Sequence, residues 1–294
     1  MYLDKTGKFT YNKTEYEIKV CKETGLAVTN PLNGSIESTI YESGHYQVQK
    51  WKLVPIILNM PDYIYSLFLL KFLGFNRSNT LIDFGCGKGY FLFFLKLFKY
   101  NNLGAVETSR PRAQFAEKLL SFKVNREFYD KGKISNRRWD YITLFHVLEH
   151  IQSPFSFLDN LLKGAVNENG VIYIEVPNYH SISSMMAGKV WAHFTPHFHT
   201  NHFTIKSFER YCLDSDRNFK ILGTFSFYNG ILGMSSAVLS KFGYKGSLFE
   251  DLKSRKFHVI LSLIVLSPLT IFLESLSSIL FNRGSVIKLK ISTK

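Results

Sequence analysis

The residues best suited to chemistry are three glycines at alternate positions, Gly85, Gly87 and Gly89, with carboxylates nearby at Asp83 and Glu107. A strand-like run over 80–84 leads into the glycines, and an apolar helical pattern over 90–100 leads out. Glycines at a strand-to-helix turn let the backbone adopt positive φ and approach a ligand closely. The amides that open the helix then face an anionic or polar group. A dinucleotide site needs glycines at the first, third and sixth positions, but the sixth position from Gly85 is Tyr90. A phosphate-cradling loop ends in Gly-Lys-Ser/Thr, whereas Lys88 is followed by Gly89 and Tyr90. Neither pattern fits.

A third ligand class, S-adenosylmethionine, uses a turn with an acidic residue two positions before its first glycine, where Asp83 stands. That carboxylate would meet the ammonium of the ligand. Glu107 ends the run Leu103–Val106, 24 residues after Asp83. Its two oxygens match a ribose diol. The glycines alone would serve equally well as a tight turn. The strand, Asp83, glycines, helix and Glu107 together point to the cofactor.

The elements that must position these groups alternate between strand and helix. Helical patterns run over 62–75, 90–100, 111–122, 154–162 and 205–213. Strand patterns run over 80–84, 103–106, 141–144, 171–176, 220–226 and 285–291. Such alternation predicts a parallel sheet with helices on both faces. Residues 1–60 read as irregular, with a strand-like run over 16–20. Residues 257–273 carry no formal charge and are apolar on all sides. They are short of the ~20 residues of a membrane span, contain Pro268 and run into Glu274. A buried or partner-covered helix is the favoured reading, and a helix lying in a membrane interface stays open because Lys253, Arg255 and Lys256 precede it.

On these residues the chain resembles the class I S-adenosylmethionine-dependent methyltransferases, in particular the ubiquinone-type and the sugar and polysaccharide members. LIDFGCGKGYFL resembles the first motif, WDYITLFHVLEHIQSP (139–154) the fourth-strand motif, and NGVIYIEVPN (169–178) the fifth strand. WAHFTPHFHTNHFT (191–204) resembles a segment frequent in glycan-related members. The resemblance covers about residues 16–227 plus the last strand. It implies a Rossmann-like sheet of seven mostly parallel strands with the last antiparallel, helices on both faces, and a helical insertion before the last strand. The expected organisation is an N-terminal segment and lead-in helix over 1–76, then a methyltransferase domain over 77–294 with an apolar helical insertion at 231–284. Many relatives open with a Cys-x-x-Cys-Gly-Leu zinc knuckle. Here the stretch is CKETGL, with Thr24 for the second cysteine, so no metal is expected.

Cofactor contacts are expected from Asp83, Gly85, Cys86, Gly87, Gly89, Glu107 and Phe145. Asp130, Phe128 and Tyr129 are candidates for the adenine, and Tyr41 and Tyr46 for covering the cofactor. Methyl transfer is an in-line displacement that mainly needs alignment, and a hydroxyl or enolisable carbon acceptor adds a general base. Histidine suits that role near neutral pH. The resemblance singles out His199, with His202 and His146 as second choices. Four histidines, His193, His197, His199 and His202, could instead hold a metal, a reading disfavoured because the next carboxylate is Glu209. Glu149 with His150, and Asp140, read as structural.

The formal net charge is +13, and residues from Lys241 onward supply +6 of it (nine basic against three acidic). An anionic or lipid-linked small-molecule acceptor fits that sign, with a sugar, sugar nucleotide or lipid-linked glycan intermediate ahead of a quinone. The alternatives are a quinone-type O-methyltransferase and a non-catalytic methyltransferase-like scaffold. Nucleic acid is disfavoured, because no RNA-binding module is present and EVPN at 175–178 lacks an aromatic to stack a flipped base. Three scattered cysteines and a polar N-terminus suggest a reducing cytoplasm. Peripheral membrane binding or self-association would run through the helix over 257–281.

Overall fold

The computed structural model describes residues 7–11, 14–31, 54–127, 137–196, 198–215 and 217–292. In chain order the first elements are β1 (Gly7–Tyr11), β2 (Thr14–Val20), β3 (Ala27–Pro31), α1 (Val54–Phe72), β4 (Leu81–Phe84), α2 (Tyr90–Leu97) and β5 (Leu103–Val106). Then come α3 (Arg110–Leu120), β6 (Trp139–Phe145), α4 (Pro154–Gly164), β7 (Val166–Pro177), α5 (Ile182–Ala187), β8 (Asn201–His202) and α6 (Ile205–Asp214). The chain finishes with β9 (Asn218–Gly223), α7 (Tyr228–Lys241), α8 (Leu248–Lys253), α9 (Phe257–Phe281) and β10 (Val286–Ser292).

These elements form two compact units interleaved in sequence. One comprises Met1–Ile36, Val176–Tyr211 and Ile221–Lys288, the other Glu37–Glu175, Cys212–Lys220 and Leu289–Lys294. The larger sheet has the order β5-β4-β6-β7-β10-β9. Pairings β4–β5, β4–β6 and β6–β7 are parallel. β4 and β6 bury Leu81, Ile82, Phe84, Ile142 and Leu144, as central parallel strands do, and the apolar run of each is interrupted by one buried polar residue, Asp83 and Thr143. α3 starts at Ser109 with Pro111 in its first turn, and α4 at Ser153 with Pro154; proline's missing N–H is harmless there.

Seven strands were expected and six form among the described residues. Outside β5 the ladder shrinks to one parallel bridge, Val106 to Asn125, flanked by Glu107 N–H to Asn125 O and Asn125 N–H to Ala105 O. KVN is too short and too polar to extend a strand, so the outermost position is a turn held by three residues rather than a ladder.

Residues 1–60 were expected to be irregular with short strand-like runs such as 16–20, and there β1, β2 and β3 form an antiparallel sheet completed by the distant β8, in the order β1-β2-β3-β8. Its outermost pairing joins Ala27 and Val28 to His202 and Asn201. A partner more than 170 residues away along the chain leaves no local periodic signal. The long apolar helix is not buried in the protein's own core, one of the readings expected for it. α9 is 25 residues, long and apolar enough to cross a membrane by length and composition, and only 17% of its most apolar window is buried.

At the N-terminal end of β6, Asp140 ties strands together. Its Oδ2 accepts from Thr80 N–H (2.8 Å) and Thr80 Oγ1 (3.0 Å), and its Oδ1 from Asn167 Nδ2 (2.7 Å). Burial opposes its charge, but these donors outweigh that and hold the carboxyl below its ordinary range. Asp140→Ala is expected to destabilise the fold by about 2 kcal/mol in urea titration, with cofactor affinity unchanged.

Candidate functional site

The glycine turn joins β4 to α2. Gly85, Gly87 and Gly89 all take positive φ, at 69°, 57° and 74°. Their surroundings differ. A β-carbon on Gly85 would stand 2.7 Å from Val147 Cγ2, and one on Gly89 would stand 2.8 Å from Leu120 Cδ1. At Gly87 nothing lies within 4 Å. The outer glycines allow chain to pack on chain, and the middle one opens onto free space. Cys86 N–H bonds Val106 O at 3.0 Å, and burial pushes its thiol up, so it stays protonated.

Two carboxylates border this turn. Asp83, 3% exposed, accepts from Thr143 Oγ1 at 2.7 Å. Burial pushes its carboxyl up to about 7, Thr143 lowers it, and the charge of Glu107 raises it further. Glu107, 5% exposed, takes Gly87 N–H on Oε2 (2.9 Å) and Ser109 N–H on Oε1 (2.8 Å). Each oxygen keeps a second lone pair, so the side chain is oriented and still able to accept. Among the described residues, the buried Tyr90 hydroxyl and Ser109 Oγ have no hydrogen-bond partner. Such orphaned atoms beside the turn fit a polar ligand rather than a sealed core.

Phe145 closes β6 with its ring 4.7 Å from Phe91 and 5.5 Å from Tyr173. Tyr63 of α1 lies 5.8 Å from Phe91, and burial and then the Asp83 charge push its hydroxyl up. Sequence reasoning missed Tyr63, Tyr90, Thr143 and Glu175. Tyr63 lies far outside the motif, while Thr143 and Glu175 sit at the carboxyl-end positions of parallel strands, a signal that was available.

His146 is not arranged as a base. It has φ 54°, and its Nδ1 and Nε2 stand 3.2 Å from Glu149 Oε1 and 3.5 Å from Glu175 Oε1. Burial alone would lower its pKa, but the two carboxylates raise it to about 10. The two carboxylates favour the imidazolium form, in which both ring nitrogens donate. Glu149, 1% exposed, meets this ring through Oε1.

In the other unit, the described residues of 191–200 form turns rather than a strand, with Phe198 and His199 N–H both on Thr195 O. His202 is buried, bonded through Nε2 to Thr29 Oγ1 at 2.8 Å and stacked on Phe194 at 5.5 Å. That is a core histidine. His193 Nε2 lies 3.0 Å from Asn229 O. His199 is half-buried, and its Nδ1 lies 3.0 Å from His193 O. A carbonyl only accepts, so Nδ1 carries a proton. One ring nitrogen of each of His193, His199 and His202 thus serves a protein partner of its own. Cys21 and Gly25 form a tight turn, with Gly25 N–H on Cys21 O and Cys21 exposed. His197, Asp130, Phe128, Tyr129, Tyr41 and Tyr46 lie outside the described residues.

Comparison with solved structures finds coclaurine N-methyltransferase bound to N-methylheliamine and SAH (15% identity, TM-score 0.48, 78% of this chain and 71% of that one). It also finds a plantazolicin methyltransferase in complex with SAH (20%, 0.44, 74% and 76%). A third is a SAM-dependent methyltransferase of Thermotoga maritima, possible histamine N-methyltransferase (13%, 0.49, 81% and 92%). No curated protein matches the chain. A family model described as a methyltransferase domain matches residues 59–223, more than half of the 294 residues. The chain belongs to the methyltransferase-domain family.

Proposed function

We propose that the protein transfers a methyl group from S-adenosylmethionine to a small anionic or lipid-linked acceptor of the sugar, sugar-nucleotide or glycan-intermediate class. The observation that carries the cofactor reading is the open space at Gly87 bordered by the buried carboxylates Asp83 and Glu107. S-adenosylmethionine, when bound, supplies a methyl group on a sulfonium leaving group. Asp83 pairs with an ammonium, and Glu107 accepts from a diol with the lone pairs its amide partners leave. A net acidic lining suits a cationic nucleoside on an otherwise basic chain. SAH in the structures of similar folds agrees with this cofactor.

On the acceptor side, His199 takes the proton of a hydroxyl at Nε2 while its Nδ1 donates to His193 O. The +13 charge and the tryptophan-histidine segment support a glycan-class acceptor. His199→Ala is expected to lower kcat about 100-fold or more with cofactor affinity unchanged. Full retained turnover with the preferred acceptor would remove His199 from the mechanism. The reading as a whole is tested by calorimetry with S-adenosylmethionine, followed by labelled methyl transfer to a panel of sugar nucleotides, lipid-linked sugars and quinols. A folded protein that binds no cofactor overturns it, and transfer to quinols alone would replace the acceptor class.

A further inference from the structure

We propose that α9 and the basic turns before it lie flat in the interface of an anionic lipid bilayer, with Phe242 and Phe257 seated among the headgroups. Three observations within one unit carry this.

The first is a one-sided apolar surface. Phe257, Leu261, Ile264, Val265, Phe272 and Ile279 are all exposed and recur at helical spacing along a single stripe of α9. Val259, Thr270, Glu274 and Ser277 are buried on the opposite side. A stripe of this length without cover is unusual for a soluble surface.

The second is where aromatic rings meet positive charge. Phe242 is 84% exposed, next to exposed Lys241 and close to Lys245. Phe257 is 75% exposed and follows exposed Arg255 and Lys256. The two segments are joined through a small cluster of Leu248 and Val259 with Leu239, Tyr244 and Leu252. Exposed rings flanked by Lys and Arg match the chemistry of an anionic headgroup layer over acyl chains. A second copy of this chain meeting it across a two-fold axis would instead set these basic residues against themselves.

The third observation separates lying on the membrane from spanning it. Glu274 accepts from Ser285 N–H at 2.7 Å and Ser285 Oγ at 2.8 Å. Inserting α9 across a bilayer would break these bonds and carry a carboxylate into hydrocarbon.

The test is vesicle co-sedimentation of the full chain with phosphatidylcholine alone and with phosphatidylcholine containing phosphatidylglycerol. Wild type is expected to partition preferentially to the anionic vesicles and to be released by 0.5 M salt. Phe242→Ser combined with Phe257→Ser should cut the bound fraction about tenfold, and Lys241→Glu with Arg255→Glu should abolish the anionic preference. Both pairs are exposed, so melting temperature should hold. Equal recovery with both vesicle types, unchanged binding by either double variant, or a stable dimer that ignores vesicles would overturn the proposal. Cofactor calorimetry reads out separately, so failure here leaves the methyltransferase reading untouched.

Discussion

Gly87→Val is expected to fold normally and to lose S-adenosylmethionine binding by at least ~100-fold, about 2.7 kcal/mol, in calorimetry. A β-carbon at this position meets no protein atom within 4 Å, so the first carbon of the side chain enters without a clash. The left-handed φ of 57° adds strain of roughly 1–2 kcal/mol for a side-chain-bearing residue, which a marginally stable domain survives. What changes is the free space, now filled by the isopropyl group. The neighbouring glycines give the contrast that makes the result interpretable. Gly89→Val drives its side chain into Leu120 and Ala116, and Gly85→Val into Val147, so both should lower melting temperature before they alter binding. If Gly87→Val bound the cofactor like wild type, the open side of the turn would not be the binding site.

Asp83 controls the second large effect, and it is a pH effect. Burial holds its carboxyl near 7 in the unliganded protein, well above the unfolded value near 3.9. The folded state therefore keeps this proton to higher pH than the unfolded chain does. Stability from this group is full below about pH 4 and declines as pH rises through about 7, by on the order of 4 kcal/mol. Ligand binding runs the other way, because only the ionised carboxylate pairs with an ammonium. Affinity for S-adenosylmethionine should increase about tenfold from pH 6 to pH 8. Asp83→Asn keeps the shape and should accept the Thr143 bond, while removing the charge. This variant should be more stable than wild type at pH 8, bind the cofactor at least ~10-fold more weakly, and show no pH dependence of affinity. Titrations at three pH values, with melting curves alongside, check all three. A pH-independent wild-type affinity would show that Asp83 does not meet the ammonium.

Much of the site was legible because its signals are local. A strand of apolar residues ending in Asp83, followed by glycines at alternate positions, specifies both the turn and the chemistry beside it. The run Leu103–Val106 and the proline-led helices α3 and α4 are likewise written in adjacent residues. The roles of the histidines were not legible. The ring of His146 stands between two carboxylates and Nδ1 of His199 meets a carbonyl, and sequence spacing does not report those partners.

The amino-acid sequence alone determined the α/β alternation, the glycine turn between β4 and α2 and the carboxylates at its rim, because backbone preference and nearest neighbours suffice for them. Tertiary structure decided the rest. It reduced the seventh strand to a bridge at Asn125, paired β3 with the distant β8, buried His202 as a core residue, set His146 between two carboxylates and left one face of α9 uncovered. These depend on contacts made only in the folded chain, at separations from three residues for His146 and Glu149 to more than 170 for β3 and β8, and burial, charge partners and exposure exist only once those contacts form.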